Sequence, residues 1–171
     1  SGGCKHMRIA VFGAGAWGTA LALAFSRGHD VVLWSREADE IAALSAHREN
    51  RRYLPGIPLP AGLQLTDSLV LAAQADLHLV VTPLAGLRAT ARALRAAAPD
   101  TPLLWACKGL EAGSAKLPHQ IVAEELGEAA PAGVLTGPSF AAEVAQGLPA
   151  AVTIAARDIE FARHWVQALH N

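Results

Sequence analysis

The chain has 171 residues, 52% of them apolar and 17% charged, a composition that fits a folded domain and excludes a disordered or fibrous segment. Its net charge of −1 supplies no basic footprint for nucleic acid, and no apolar run reaches the length of a membrane span. Two cysteines, Cys4 and Cys107, make no disulfide framework, so the expected setting is reducing cytoplasm.

Residues 1–6, Ser-Gly-Gly-Cys-Lys-His, precede Met7 and lack the apolar stretch of a signal peptide. They read as an expression remnant, and residues 7–171 as one domain without an internal linker. Arg8–Phe12 has the apolar run of a buried parallel strand. Gly13-Ala-Gly15-Ala-Trp-Gly18 follows at once. Trp17, Ala20, Leu21 and Ala24 then recur on one helical face, and Gly28 is expected at C′ of that helix. Val31–Trp34 is a second apolar strand, completing a β-α-β unit of about 30 residues.

The glycine spacing has a physical reading. Gly13 allows a tight turn, Gly15 leaves no side chain between backbone and ligand, and Gly18 lets helix and strand pack closely. Free N–H groups at the helix start then face a diphosphate. An ordinary glycine turn is the alternative, but the strand before and the helix after favour binding of a nicotinamide or flavin dinucleotide. After the second strand a strictly NAD-dependent site usually carries Asp or Glu for the ribose 2′-hydroxyl. Here Ser35-Arg36 stands there, with Glu37 next. A guanidinium suits a 2′-phosphate and stacks on adenine, which favours NADP or dual use over strict NAD. Arg36 is otherwise a solvated residue at a helix start.

Further along, Glu37–Ala46 is predicted as a helix with Ile41, Ala42 and Leu44 inward. Arg51–Pro60, with three prolines and Gly56, reads as a loop. Leu63–Thr66 is a short strand, and Asp67 or Ser68 caps a helix running to Gln74. Asp76–Thr82 is a strand stopped by Pro83, Ala85–Ala98 a helix closed by Pro99, and Leu103–Cys107 a buried strand leading to Lys108-Gly109. Leu117–Leu126 is a helix and Gly133–Leu135 a strand. Gly137-Pro138-Ser139 then opens a helix to Gln146, Ala150–Ala155 is a strand, and Asp158–Leu169 a helix. Strands and helices alternate throughout. The fold class is therefore α/β: a Rossmann-like, doubly wound, mostly parallel sheet with helices on both faces.

Ligands of such sheets bind beyond the carboxyl ends of the strands. Gly13–Gly18, Thr82-Pro83, Lys108-Gly109 and Gly137-Pro138-Ser139 all fall there. Lys108 could attract a phosphate or polarise a carbonyl, or simply leave the core edge. Pro138 and Ser139 serve equally well as ordinary helix-start residues. His78 is expected to be a satisfied core histidine and Cys107 a small core residue. The remaining histidines show no metal-ligand spacing, so no metal is expected.

As a set, Gly13-Ala-Gly-Ala-Trp-Gly18, Trp34-Ser-Arg36, Asn50-Arg-Arg-Tyr-Leu-Pro-Gly56, Val81-Thr-Pro83, Lys108-Gly109 and Gly137-Pro-Ser-Phe-Ala141 resemble the bacterial-type NAD(P)-dependent glycerol-3-phosphate dehydrogenases, in that family's order and over nearly all of Met7–Asn171. Ala16 and Thr82 stand where the family frequently has serine. The resemblance implies reduction of dihydroxyacetone phosphate to sn-glycerol 3-phosphate for phospholipid synthesis, with NADP or NAD as cofactor. It implies that Ala16, Trp17 and Ala141 contact the cofactor, with Arg36 and Tyr53 near its adenosine end. Lys108 would meet both cofactor and substrate, and Gly137 and Ser139 would hold the substrate. Family members are about twice this length, and their helical second half supplies another lysine as proton donor and acceptor. The chain is thus expected to bind dinucleotide but to be nearly inactive alone, and to self-associate through the apolar face a second domain would cover. Other two-domain dehydrogenases with this first domain, and a non-catalytic dinucleotide-sensing module, are the rival readings.

Overall fold

The computed structural model describes residues 6–137, 141–145 and 152–169. In chain order the elements are β1 (Arg8–Phe12), α1 (Ala16–Phe25), β2 (Asp30–Trp34), α2 (Ala38–His47), β3 (Glu49–Asn50), β4 (Leu54–Pro58), β5 (Gln64–Thr66), α3 (Leu69–Ala72) and β6 (Leu77–Val80). They continue with α4 (Leu84–Ala97), β7 (Leu103–Trp105), α5 (Pro118–Leu126), β8 (Ala132–Thr136), α6 (Ala141–Ala145), β9 (Thr153–Ala155) and α7 (Ile159–Leu169).

Seven strands form one sheet in the order β5-β2-β1-β6-β7-β8-β9. All neighbours are parallel except β9, which runs antiparallel to β8. The first six positions follow the doubly wound dinucleotide-binding order, in which the chain switches direction between β1 and β6. This is the Rossmann-like sheet the alternation predicts.

Strand alternation divides the core into two layers. Ile9, Val11, Val31, Leu33, Leu77, Leu79 and Leu104 pack with residues of α1, α2, α6 and α7. Ala10, Phe12, Val32, Trp34, Val80, Leu103 and Trp105 pack with residues of α3, α4 and α5. Apolar runs on the central strands are needed because both sheet faces are covered.

Several local expectations need correction. Arg51–Pro60 is not a plain loop: β3 and β4 form an antiparallel two-stranded ribbon outside the main sheet. Pro55 and Pro58 are tolerated because β4 is an edge strand. Helix α1 ends with Ser26 as C-cap, its N–H bonded to the Ala22 carbonyl, so Gly28 lies beyond C′. On α2, Leu44 is buried, Ile41 half-buried and Ala42 exposed. Ser68 does cap α3, accepting the Leu71 N–H at 3.2 Å, although that helix is only four residues long. His78 is buried, with Nε2 2.9 Å from the Ala73 carbonyl; burial pushes its pKa below the usual value, so it sits in the core as the neutral ring. Cys107 is also buried. Desolvation raises its thiol pKa, and it donates to the Thr82 carbonyl at 3.2 Å.

Candidate functional site at the carboxyl edge of the sheet

Where β1 ends, the chain turns on Gly13 at φ +122°, a region L side chains rarely adopt. Its N–H donates to the Trp34 carbonyl at 2.9 Å, tying the turn to the end of β2. A Cβ on Gly13 would lie 2.7 Å from the Val81 carbonyl oxygen and 2.9 Å from the Thr82 nitrogen. The ends of β1 and β6 therefore meet backbone to backbone. A Cβ on Gly18 would lie 1.8 Å from the Gly13 carbonyl oxygen. The first and third glycines of the motif are thus required by the protein's own packing.

The second glycine is different. A Cβ on Gly15 would meet nothing within 4 Å. Gly15 is the N-cap of α1, no side chain caps that end, and no acidic residue stands in its first turn. Thr19 N–H is the first bonded back into the helix, to the Gly15 carbonyl. The opening turn at Ala16, Trp17 and Gly18 carries N–H groups and the positive end of the helix dipole beside a space only glycine leaves open. Such a cradle fits the diphosphate of a dinucleotide.

The rest of the rim continues from there. Thr82 Oγ1 lies 3.9 Å from Cys107 Sγ, linking the ends of β6 and β7. Lys108 follows directly and is exposed. The segment behind it is held firmly. Arg88 of α4 grips Glu111 with two hydrogen bonds of 2.9 Å, and Ser114 Oγ donates to the same carboxylate at 2.6 Å. These partners hold the Glu111 carboxyl well below its ordinary range, at about 2. Arg88 also reaches Glu124 of α5 at 2.7 Å, and Lys116 pairs with Glu124. A fork of this geometry fixes position as well as charge.

Gly137 follows β8, the neighbour of β7. Ser139 lies outside the described residues. Ala141 opens α6, which belongs to the same core layer as α1, and Arg27 just past α1 donates to the Ala145 carbonyl at 2.7 Å.

Arg36 projects into solvent past the end of β2, its side chain 80% exposed, with Nε 3.1 Å from Glu37 Oε1. Ser35 is buried and donates to Glu40 Oε2 at 2.9 Å. Tyr53 sits in the turn between β3 and β4, 41% exposed, with the Arg52 guanidinium 4.9 Å over its ring. Asn50, which heads one of the family segments in the sequence but has no role assigned there, is the link between that turn and the glycine motif. It is 3% exposed, and its Nδ2 donates to the Ala14 carbonyl at 2.9 Å and to Thr19 Oγ1 at 2.8 Å. No local signal announces this bonding, since its partners lie 31 and 36 residues away.

The family model for the N-terminus of NAD-dependent glycerol-3-phosphate dehydrogenase matches residues 8–162. This chain belongs to that family. A glycerol-3-phosphate dehydrogenase [NAD(P)+] of Aromatoleum aromaticum is 70% identical over 166 residues, which make up 96% of this chain and 51% of the relative. The protein of the same description from Dechloromonas aromatica is 54% identical over 166 residues, covering 96% of this chain and 50% of its own length. The crystal structure of the glycerol-3-phosphate dehydrogenase of Coxiella burnetii superposes with a TM-score of 0.87 at 38% identity, covering 97% of this chain and 51% of that one. The chain therefore spans about half the length of the curated relatives it matches. Among the described residues, no helix is long and apolar enough to cross a membrane.

Proposed function

We propose that this chain is the dinucleotide-binding half of an NAD(P)-dependent dehydrogenase that reduces dihydroxyacetone phosphate to sn-glycerol 3-phosphate, the step that supplies the glycerol phosphate of phospholipids in the cytoplasm. The observation that carries the reading is the contrast within one motif: Gly13 and Gly18 are filled against backbone, while Gly15 opens onto free space before an uncapped helix. Membership of the family supports the choice of reaction, and its relatives' description as NAD(P)+ enzymes supports both NAD and NADP as cofactors.

In this reading the amides of Ala16, Trp17 and Gly18 hold the diphosphate, with Gly13 and Gly15 shaping the turn. Arg36 sits at the adenosine end, where its exposed guanidinium pairs with a 2′-phosphate when one is present. Tyr53 borders the same end, and Ala141 lines the cofactor from α6. The bound nicotinamide supplies the hydride. Lys108 brings a positive charge to the substrate, drawing its phosphate or polarising its carbonyl, and it also meets the cofactor. Gly137 and Ser139 hold the substrate. Proton delivery to the new hydroxyl falls to a lysine of the helical half found in longer family members. General acid catalysis is commonly worth about 10²–10⁴ in rate.

Calorimetric titration of the chain with NADPH and NADH, followed by NADPH oxidation with dihydroxyacetone phosphate, tests the reading. Binding of both dinucleotides is expected, with turnover at least about a hundredfold below that of a full-length relative. Absence of dinucleotide binding would overturn it, and turnover matching the full-length relative would overturn the division of labour.

A further inference from the structure

We infer that Asn50 is a positioning residue for the dinucleotide: its side-chain amide fixes the glycine turn from outside the sheet, so that affinity depends on a residue of the β3–β4 ribbon that touches no ligand. The inference rests on the proposal that the glycine turn holds a diphosphate.

The Gly13–Gly18 turn has two kinds of anchor. On the sheet side it is held by backbone, through the Gly13 N–H on Trp34 and the close approach of Gly13 to Val81. On the outer side its Ala14 carbonyl would otherwise be a buried acceptor. Asn50 Nδ2 supplies the donor at 2.9 Å and spends its second hydrogen on Thr19 Oγ1 at 2.8 Å, one turn into α1. The amide thus spans Gly15 from both sides, fastening the residue before it and the helix after it. Its orientation is not ambiguous, because only the nitrogen can donate to a carbonyl. The oxygen accepts the Tyr53 N–H at 3.1 Å, which closes the turn of the ribbon on the same residue.

A donor is needed here, and so is neutrality. Aspartate would keep the size of the side chain and the acceptor for Tyr53, yet it would set a carboxylate oxygen against the Ala14 carbonyl. The carbonyl would have to swing away, turning the Gly15 and Ala16 peptides with it. Those peptides aim the N–H groups at the diphosphate. Pre-organised donors lose binding when their supporting residues are released, even if the fold remains. Because the diphosphate is common to both cofactors, NADH and NADPH should suffer alike, unlike the effect of a change at Arg36.

The test uses the chain with Asn50→Asp, Asn50→Ala and Thr19→Val, each titrated with NADH and NADPH at a temperature where circular dichroism shows it fully folded. At that temperature a role in stability alone leaves the Kd unmoved. Asn50→Asp and Asn50→Ala are each expected to weaken both dinucleotides by about tenfold or more, the effect of losing one well-made buried hydrogen bond. Thr19→Val, which removes the helix anchor but leaves the Ala14 bond in place, is expected to weaken both dinucleotides alike and by less than the Asn50 variants do. Unaltered affinity in either folded Asn50 variant would overturn the proposal. If neither variant folds, the side-chain amide resonances of Asn50 in the unchanged chain decide: NADPH should shift them at saturation, and their standing still would overturn it. Failure of the unchanged chain to bind either dinucleotide would instead remove the reading on which the inference rests.

Discussion

Replacing Gly18 with alanine should destabilise the fold itself, before any ligand is considered. An added Cβ would lie 1.8 Å from the Gly13 carbonyl oxygen, where real Cβ contacts are essentially never under 3.0 Å. The difference, 3.0 − 1.8, requires α1 and the end of β1 to part by at least 1.2 Å. Neither side is a flexible side-chain tip, and the helix is committed by seven buried residues, Gly18 through Leu23 and Phe25. Overpacking of a well-filled core costs about 1–3 kcal/mol, and a clash with backbone belongs at the upper end. For a domain of this size about 3 kcal/mol lowers the Tm by roughly 6–12 °C. Thermal unfolding followed by circular dichroism measures it. A Gly18→Ala chain melting within a degree or two of the unchanged one would refute the steric argument. Gly15→Ala is the control, because its methyl group enters open space and should leave the Tm nearly unchanged.

Other outcomes follow from the same geometry. Arg36→Ala should weaken NADPH by about tenfold while leaving NADH nearly unaffected, the scale of a charge-assisted hydrogen bond to phosphate; equal losses for the two in calorimetry would contradict the 2′-phosphate role. The Glu111 carboxyl is lowered from 4.5 to about 2, so its contribution to stability is present above about pH 4.5 and is lost as pH falls towards 2. Glu111→Gln should therefore flatten the fall in Tm over that window, and an unchanged slope would show that the Arg88 fork contributes nothing. The pKa of His78 is depressed below 6.5 by burial, so the unfolded chain takes up a proton first and stability declines as pH drops below 6.5. His78→Gln should remove that part of the decline, as chemical denaturation at pH 5 and pH 7.5 would report.

How much of this is legible in the residues depends on how local the cause is. The β1-α1-β2 unit is read nearly to the residue, because apolar runs, helical spacing and glycines act over a few neighbours. The ribbon of β3 and β4 is missed, since Pro55, Gly56 and Pro58 carry turn chemistry that only an edge position overrides. The antiparallel direction of β9 has no signal in its own sequence; only its pairing with β8 shows it. The rim is legible as a set because doubly wound sheets place their ligands at one edge, and so Lys108 and Gly137 can be grouped with the glycine motif. The Arg88–Glu111 fork and the Asn50 bridge are not legible. Each joins residues far apart in sequence through side chains whose types are ordinary where they stand.

The most direct test of the central claim is the affinity of NADPH for the chain with Gly15→Leu, measured by calorimetry beside a thermal melt. The fold should accept the start of the side chain, because a Cβ at Gly15 meets no protein atom within 4 Å, and the thermal melt reports whether the rest is accommodated. The account predicts an intact melt with dinucleotide binding reduced by about a hundredfold or more, as the leucine occupies the ground where the diphosphate meets the helix amides. Binding as tight as that of the unchanged chain would contradict it.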